Sequence, residues 1–108
     1  MDLANKTCEP CRGGVPPMPS TEALAMLGQL SDGWVINELG YLERTFLFGD
    51  FAASMAFANL VGDLAEASGH HPVLHVTWGS CRIEYWTHKI DGLNEADFIF
   101  AAKTDALL

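Results

Sequence analysis

Val73-Leu-His-Val-Thr-Trp78, then Gly79-Ser80, then Cys81-Arg-Ile-Glu-Tyr-Trp-Thr87 is the stretch whose reading decides the fold. Apolar and polar residues alternate with period two on both sides of a Gly-Ser pair. That is the pattern of two half-buried strands joined by a two-residue turn with Gly at its first central position. Such a turn predicts a register: Trp78 faces Cys81, Val76 faces Ile83 and Leu74 faces Tyr85. Counting outward, His71 faces His88. One face of the hairpin is mostly apolar: Pro72, Leu74, Val76 and Trp78 with Cys81, Ile83, Tyr85 and Thr87. The other carries His71, Val73, His75 and Thr77 with Arg82, Glu84, Trp86 and His88, and should meet solvent, a ligand or a second subunit.

Upstream lies Glu66-Ala-Ser-Gly-His70-His71-Pro72. It follows a long apolar segment that reads as a helix from Phe51 to about Ser68, with Asp50 as its N-cap. Gly69 is a plausible stop, and Pro72 forbids continuation. Glu66 and His70 are spaced so that both leave one face of the helix end. Three of the chain's four histidines, His70, His71 and His88, are thus expected beside Glu66. Phe51, Met55, Ala58 and Ala65, with Phe57, Leu60, Val61 and Leu64, read as a broad core-facing arc.

The remaining elements follow outward. A first helix starts near Ser20 or Thr21, with Thr21 as a possible cap and Leu24, Leu27 and Leu30 as its stripe. A first hairpin runs Trp34–Asn37 and Tyr41–Phe48 around Leu39-Gly40. Asn94 opens a last helix, with Asp97 three residues on. The order helix, strand, strand, helix, strand, strand, helix predicts an α+β fold. Its sheet is four-stranded and antiparallel, with three helices on one face. Residues 1–19 read as an N-terminal arm and residues 20–108 as the domain.

Composition narrows the function classes. The chain has 108 residues, an apolar fraction of 49% and a net charge of −8 with six Lys and Arg. That charge disfavours a nucleic-acid surface and lends no support to an anionic membrane. No segment approaches the roughly 18 apolar residues of a spanning helix. Three cysteines argue against a disulfide framework. Cys8-Glu-Pro-Cys11 lacks the second pair that a zinc site needs. The expected location is cytoplasmic.

The string Glu66-x3-His70-His71-Pro72, Trp78, His88, Asp97 resembles the signature of the pterin-4a-carbinolamine dehydratases, with every spacing in place. The chain departs from common family usage at Val73, Leu74 and Ala96. The resemblance implies dehydration of 4a-hydroxytetrahydropterin to quinonoid dihydropterin, recycling tetrahydrobiopterin after aromatic amino-acid hydroxylation. It implies no cofactor and no metal. It also implies a homodimer or homotetramer and a link to an aromatic amino-acid hydroxylase, while the acidic charge balance speaks for no nucleic-acid and no membrane partner. By position, His70, His88 and Glu66 would be catalytic, and His71, Asp97 and Trp78 would bind substrate. Imidazole titrates near neutral pH, so His70 and His88 suit an acid–base pair. His75 has no assigned role.

Each residue also has a plainer account. His70 could favour a helix C-terminus as a cation, His71 and His88 could be a cross-strand pair, and Asp97 could simply cap the last helix. A binding or dimerisation protein of the same fold, and a metal protein using three His and a Glu, are the competing functions.

Overall fold

Asp50 and Gly69 bound the long helix for reasons visible in their chemistry. In the computed structural model, which describes residues 18–108, Asp50 Oδ1 accepts from the Ala53 amide at 2.8 Å. Gly69, at φ +72°, turns the chain into the left-handed region and donates to Ala65 O, as glycine does at a helix end. These residues delimit α2 (Phe51–Ser68). The other elements are α1 (Ser20–Leu27), β1 (Val35–Ile36), β2 (Leu42–Leu47), β3 (Val73–Thr77), β4 (Ser80–Tyr85), a 3-10 turn (His88–Ile90) and α3 (Glu95–Asp105).

The four strands form one antiparallel sheet in the order β1-β2-β4-β3. The helices cover one face, as expected for α+β. Leu42, Phe46, Cys81, Ile83 and Tyr85 meet Phe57, Ala58, Val61, Phe98 and Ile99 in a continuous core. Cys81 is fully buried, the small hydrophobe its neighbours imply. Among the described residues no helix is long and apolar enough to cross a membrane. Cys8 and Cys11 lie outside the described residues.

The hairpin register differs from the expected one. Val76 pairs with Cys81, Leu74 with Ile83 and Thr77 with Ser80, so the turn is Trp78-Gly79 rather than Gly79-Ser80. Ser80 is drawn into the sheet because it also pairs with Leu47 of β2. Its hydroxyl meets Thr77 Oγ1 at 2.6 Å, and the Phe48 amide donates to Gly79 O at 2.9 Å. The slip is two residues in the paired positions, so every side chain keeps its face. Neighbours do change. Continuing the observed register sets His71 opposite Trp86 rather than His88.

Two helix faces also differ. Thr21 is not a cap: α1 begins at Ser20 after an extended Pro19, with no side-chain cap bond. Its buried residues are Ala23 and Met26, while Leu24 is exposed. On α2, Phe51, Met55 and Leu60 are exposed rather than core. The apolar arc of α2 is wider than the strip the sheet can cover, so its flanks stay outside.

At the other end of the sheet, Arg44 of β2 pairs with Asp105 at the end of α3 at 2.8 Å. The indole of Trp34 and the hydroxyl of Ser31 donate to the same carboxylate. Gly33, at φ +109°, lies under this bridge: a Cβ there would meet Arg44 Nε at 2.9 Å. This staple fixes α3 over the sheet and hence fixes where Asp97 sits.

Candidate functional site

Gly69 decides the site by breaking the helix one residue before His70. Past the left-handed turn, His70 swings inward instead of continuing the helix face of Glu66. Its ring is 7% exposed. It packs near-parallel to Phe100 and Tyr85, with centroids 5.0 and 6.0 Å away. His70 Nε2 lies 2.8 Å from Asp97 Oδ1. The expected pairing of Glu66 with His70 is therefore replaced. Glu66 instead meets the next residue, His71 Nε2, at 3.2 Å, and both side chains are exposed.

Asp97 is fully buried and holds several donors. Its Oδ2 accepts from the Thr87 hydroxyl at 2.9 Å and from the Asn94 amide at 3.0 Å. Asn94 in turn accepts from Ala96 N at 2.8 Å, so Asn94 and Asp97 form a reciprocal capping box at the start of α3. The same carboxylate thus caps a helix and grips an imidazole. Thr87 is 2% exposed, where strand alternation alone places it simply on the apolar face. The sequence signals this role only through the position of Thr87 just before His88.

Tyr85 lines the same interior. The Thr104 hydroxyl donates to Phe100 O at 2.7 Å, so Tyr85 donates to Thr104 Oγ1 at 2.8 Å. Burial pushes the Tyr85 phenol up to about 12, and the Asp97 charge raises it further.

His88 opens the 3-10 turn outside β4 and is exposed. Its ring stacks on Trp86, centroid to centroid 4.3 Å and 6° from parallel. Trp78 lies elsewhere. It sits in the β3–β4 turn, 69% exposed, whereas His71 precedes β3. At about 3.3 Å per residue, the strand between them puts Trp78 on the order of 20 Å from the histidine end. Within one chain these two do not share a pocket.

His75 belongs to a third cluster, on the helix-free face of the sheet. Its Nε2 lies 2.7 Å from Glu84 Oε1, which also accepts from Arg82 Nη1 at 3.1 Å. Asn37 donates to both Glu84 and Glu43. Among the described residues no three His, Cys, Asp or Glu side chains are arranged to hold a metal ion. The structure thus yields two distinct His–carboxylate pairs at the end of α2, His70–Asp97 inside and His71–Glu66 outside, and a stacked His88 that follows Thr87, itself bound to Asp97.

Comparison with known proteins adds a second line. The sequence profile described as pterin 4 alpha carbinolamine dehydratase matches residues 16–107. The chain belongs to this family. A relative from Rickettsia bellii (strain OSU 85-389), whose name places it in the same family, is 50% identical over 97% of this chain and 93% of its own length. One from Alkaliphilus metalliredigens (strain QYMF) is 45% identical over 96% of this chain and 94% of its own. Among solved structures, a Brucella melitensis protein titled a transcriptional coactivator/pterin dehydratase superposes with a TM-score of 0.77. It is 27% identical and covers 84% of this chain and 97% of its own. A pterin dehydratase-like protein titled a RuBisCO assembly factor in the alpha-carboxysome has a TM-score of 0.59 at 28% identity. That match covers 69% of this chain and 88% of the other.

Proposed function

We propose that the protein dehydrates 4a-hydroxytetrahydropterin to quinonoid dihydropterin. The reaction breaks the C4a–O bond and forms the C4a=N5 double bond. An acid must protonate the departing hydroxyl, which leaves as water, and a base must take the N5 proton. Two imidazoles in opposite protonation states can do both, and no redox step is involved.

The observation that carries this reading is the buried His70–Asp97 pair, 2.8 Å apart. A buried carboxylate that accepts from Nε2 fixes the imidazole's tautomer and orientation. His88 takes the complementary role, acid to His70's base or the reverse. His71, oriented by Glu66, binds the pterin, and Asp97 acts through His70. Trp78 could contribute to a pterin site only from another chain. The enzyme works as a homo-oligomer in the cytoplasm, needs no metal, and recycles tetrahydrobiopterin for an aromatic amino-acid hydroxylase.

The competing reading is a non-catalytic binding protein of the same fold, in keeping with the titles of the two structural neighbours. Turnover decides between them. Purified protein should speed dehydration of enzymatically generated 4a-hydroxytetrahydropterin, with undiminished rate after treatment with a chelator. His70→Ala and His88→Ala should each lower the rate roughly 10²-fold or more. Full activity in both variants would refute the assigned roles. No activity in the wild type would favour the binding protein.

A further inference from the structure

Trp86 is the middle ring of a three-ring stack. Tyr41 lies 4.1 Å away by centroid and 9° from parallel, and His88 lies 4.3 Å away at 6°. Two rings this close and this parallel to one indole cannot share a face without overlapping, so Trp86 is held between them. The stack is closed by a second contact: Tyr41 Oη donates to Asp91 Oδ1 at 3.1 Å. Desolvation, the bond to Asp91 and the charges of Asp91 and Glu84 all raise the Tyr41 phenol's affinity for that proton.

Asp91 ends the short turn that begins at His88. It is the one non-glycine residue at positive φ (+46°) among those described. Such a backbone is uncommon outside glycine, although Asp tolerates it. The turn is shut at its base by Thr87–Gly92 backbone bonds of 2.8 and 3.4 Å. A ring of contacts therefore runs from Tyr41 through Asp91 and the turn to His88, through Trp86, and back to Tyr41. Thr87, the residue next to His88, is tied to Asp97, which grips His70.

We propose that Tyr41, Trp86 and Asp91 form a clamp that fixes the ring of His88. Trp86 and Tyr41 are thus positioning residues for the reaction. The proposal rests on the dehydratase reading, since it assigns His88 a task that depends on its placement. An exposed imidazole on a short turn would otherwise sample several rotamers, and a misplacement of about 1 Å can cost roughly 10²-fold in rate. The indole removes that freedom, and the Tyr41–Asp91 bond keeps the turn from lifting off the indole.

Two measurements on the full chain test this. The first is the imidazole proton NMR spectrum, with His88 signals assigned by their loss in His88→Gln. In the wild type they should be shifted upfield by the indole ring current. Trp86→Leu should return them to the position of an unstacked imidazole, and Tyr41→Phe, which frees the turn, should move them part of the way. The second is steady-state dehydration. Trp86→Leu should lower kcat roughly 10- to 100-fold with KM within about threefold. Trp86→Phe should recover most of the loss, because a flat ring is restored. Tyr41→Phe, which keeps its ring and should fold normally, should lower kcat by about 3- to 10-fold.

Identical His88 signals in wild type and Trp86→Leu would overturn the clamp. Displaced signals with unchanged kcat would overturn its positioning role, as would a Trp86→Phe variant no better than Trp86→Leu. If the wild type were inactive, the dehydratase reading would fall together with the catalytic part of this proposal. The ring shifts would still decide whether the clamp exists.

Discussion

Replacing Asp97 by Asn separates its two tasks. The carboxylate accepts from Thr87 Oγ1 and Asn94 N through Oδ2 and faces His70 Nε2 through Oδ1. An amide of the same shape has one acceptor oxygen. Placed at the Oδ2 position, that oxygen preserves the cap and the Thr87 bond, and the NH2 group is left pointing at His70. The imidazole can then accept only by moving its hydrogen to Nδ1. Folding survives, but the tautomer is inverted. Three charge-assisted bonds become neutral ones, a loss of about 1 kcal/mol each. Part of this is returned because a buried amide is less costly than a buried charge. The net loss should be about 1–3 kcal/mol. For a domain of this size that lowers Tm by roughly 4–12 °C.

The assay is urea unfolding followed by the fluorescence of the buried Trp34, with turnover measured on the same samples. Asp97→Asn should shift the midpoint by that amount at unchanged slope and lower turnover about 10²- to 10⁴-fold, as an inverted tautomer does in a serine-protease triad. Asp97→Ala leaves the facing donors with no acceptor and should be less stable than Asp97→Asn by about 2 kcal/mol or more. Thr87→Val removes one donor and should cost about 1–2 kcal/mol while keeping turnover within roughly tenfold. If Asp97→Asn lost stability yet kept wild-type turnover, the carboxylate would be a helix cap only. If it lost neither, the hydrogen-bond network would not hold in solution.

Two further outcomes follow from other parts of the fold. Stability should decline on the alkaline side, because the Tyr85 phenol is raised to about 12 in the folded chain from an ordinary value near 10. The folded state then holds the proton more tightly than the unfolded state. The contribution is full below pH ~10 and is lost as pH rises through ~12, up to about 3 kcal/mol. Burial also raises the Cys81 thiol, which adds a loss of the same sign. Urea midpoints between pH 9 and 11 should fall in the wild type and fall less in Tyr85→Phe; equal slopes would refute the assignment. The second outcome concerns assembly. The sheet has open edges at β1 and β3, and Phe51, Met55 and Leu60 stay exposed on α2. Light scattering at micromolar concentration should therefore give an oligomer; a monomer alone would contradict this.

How much of this was legible in the sequence depended on the range of the determining interaction. Caps are local, and Asp50, Gly69 and the Asn94–Asp97 box sit where their neighbours' chemistry puts them. Strand faces are nearly local, since period two survives any even slip, and Cys81, Ile83 and Tyr85 turn inward as expected. Which face of a helix is covered is not local. Leu24 lost to Ala23 and Met26, and Phe51 and Met55 to Ser54, while Phe57 and Val61 are buried as expected, because only the sheet's position selects the buried strip. The hairpin turn went the same way. A rule that seats Gly first in the turn was overridden by β2, which pairs with Ser80 and so claims it for the ladder.

The candidate site shows the same division at closer range. The residue types and their spacing were readable, but the pairing of acid with imidazole was not. Helix periodicity joined Glu66 to His70, and it holds only while the chain stays helical. One left-handed residue, Gly69, cancels it, sending His70 into the core and leaving Glu66 to His71 outside. What then receives His70 is a carboxylate 27 positions along the chain, placed there by the capping box of α3 and by the Arg44–Asp105 staple at that helix's other end. A helix N-terminus is a sound place to keep a buried carboxylate, since the exposed amides and the dipole both favour the charge. The plainer account of Asp97 as a cap and its proposed task at His70 are therefore not rivals. The cap makes it possible to bury the charge, and the buried charge is what can hold an imidazole in one tautomer.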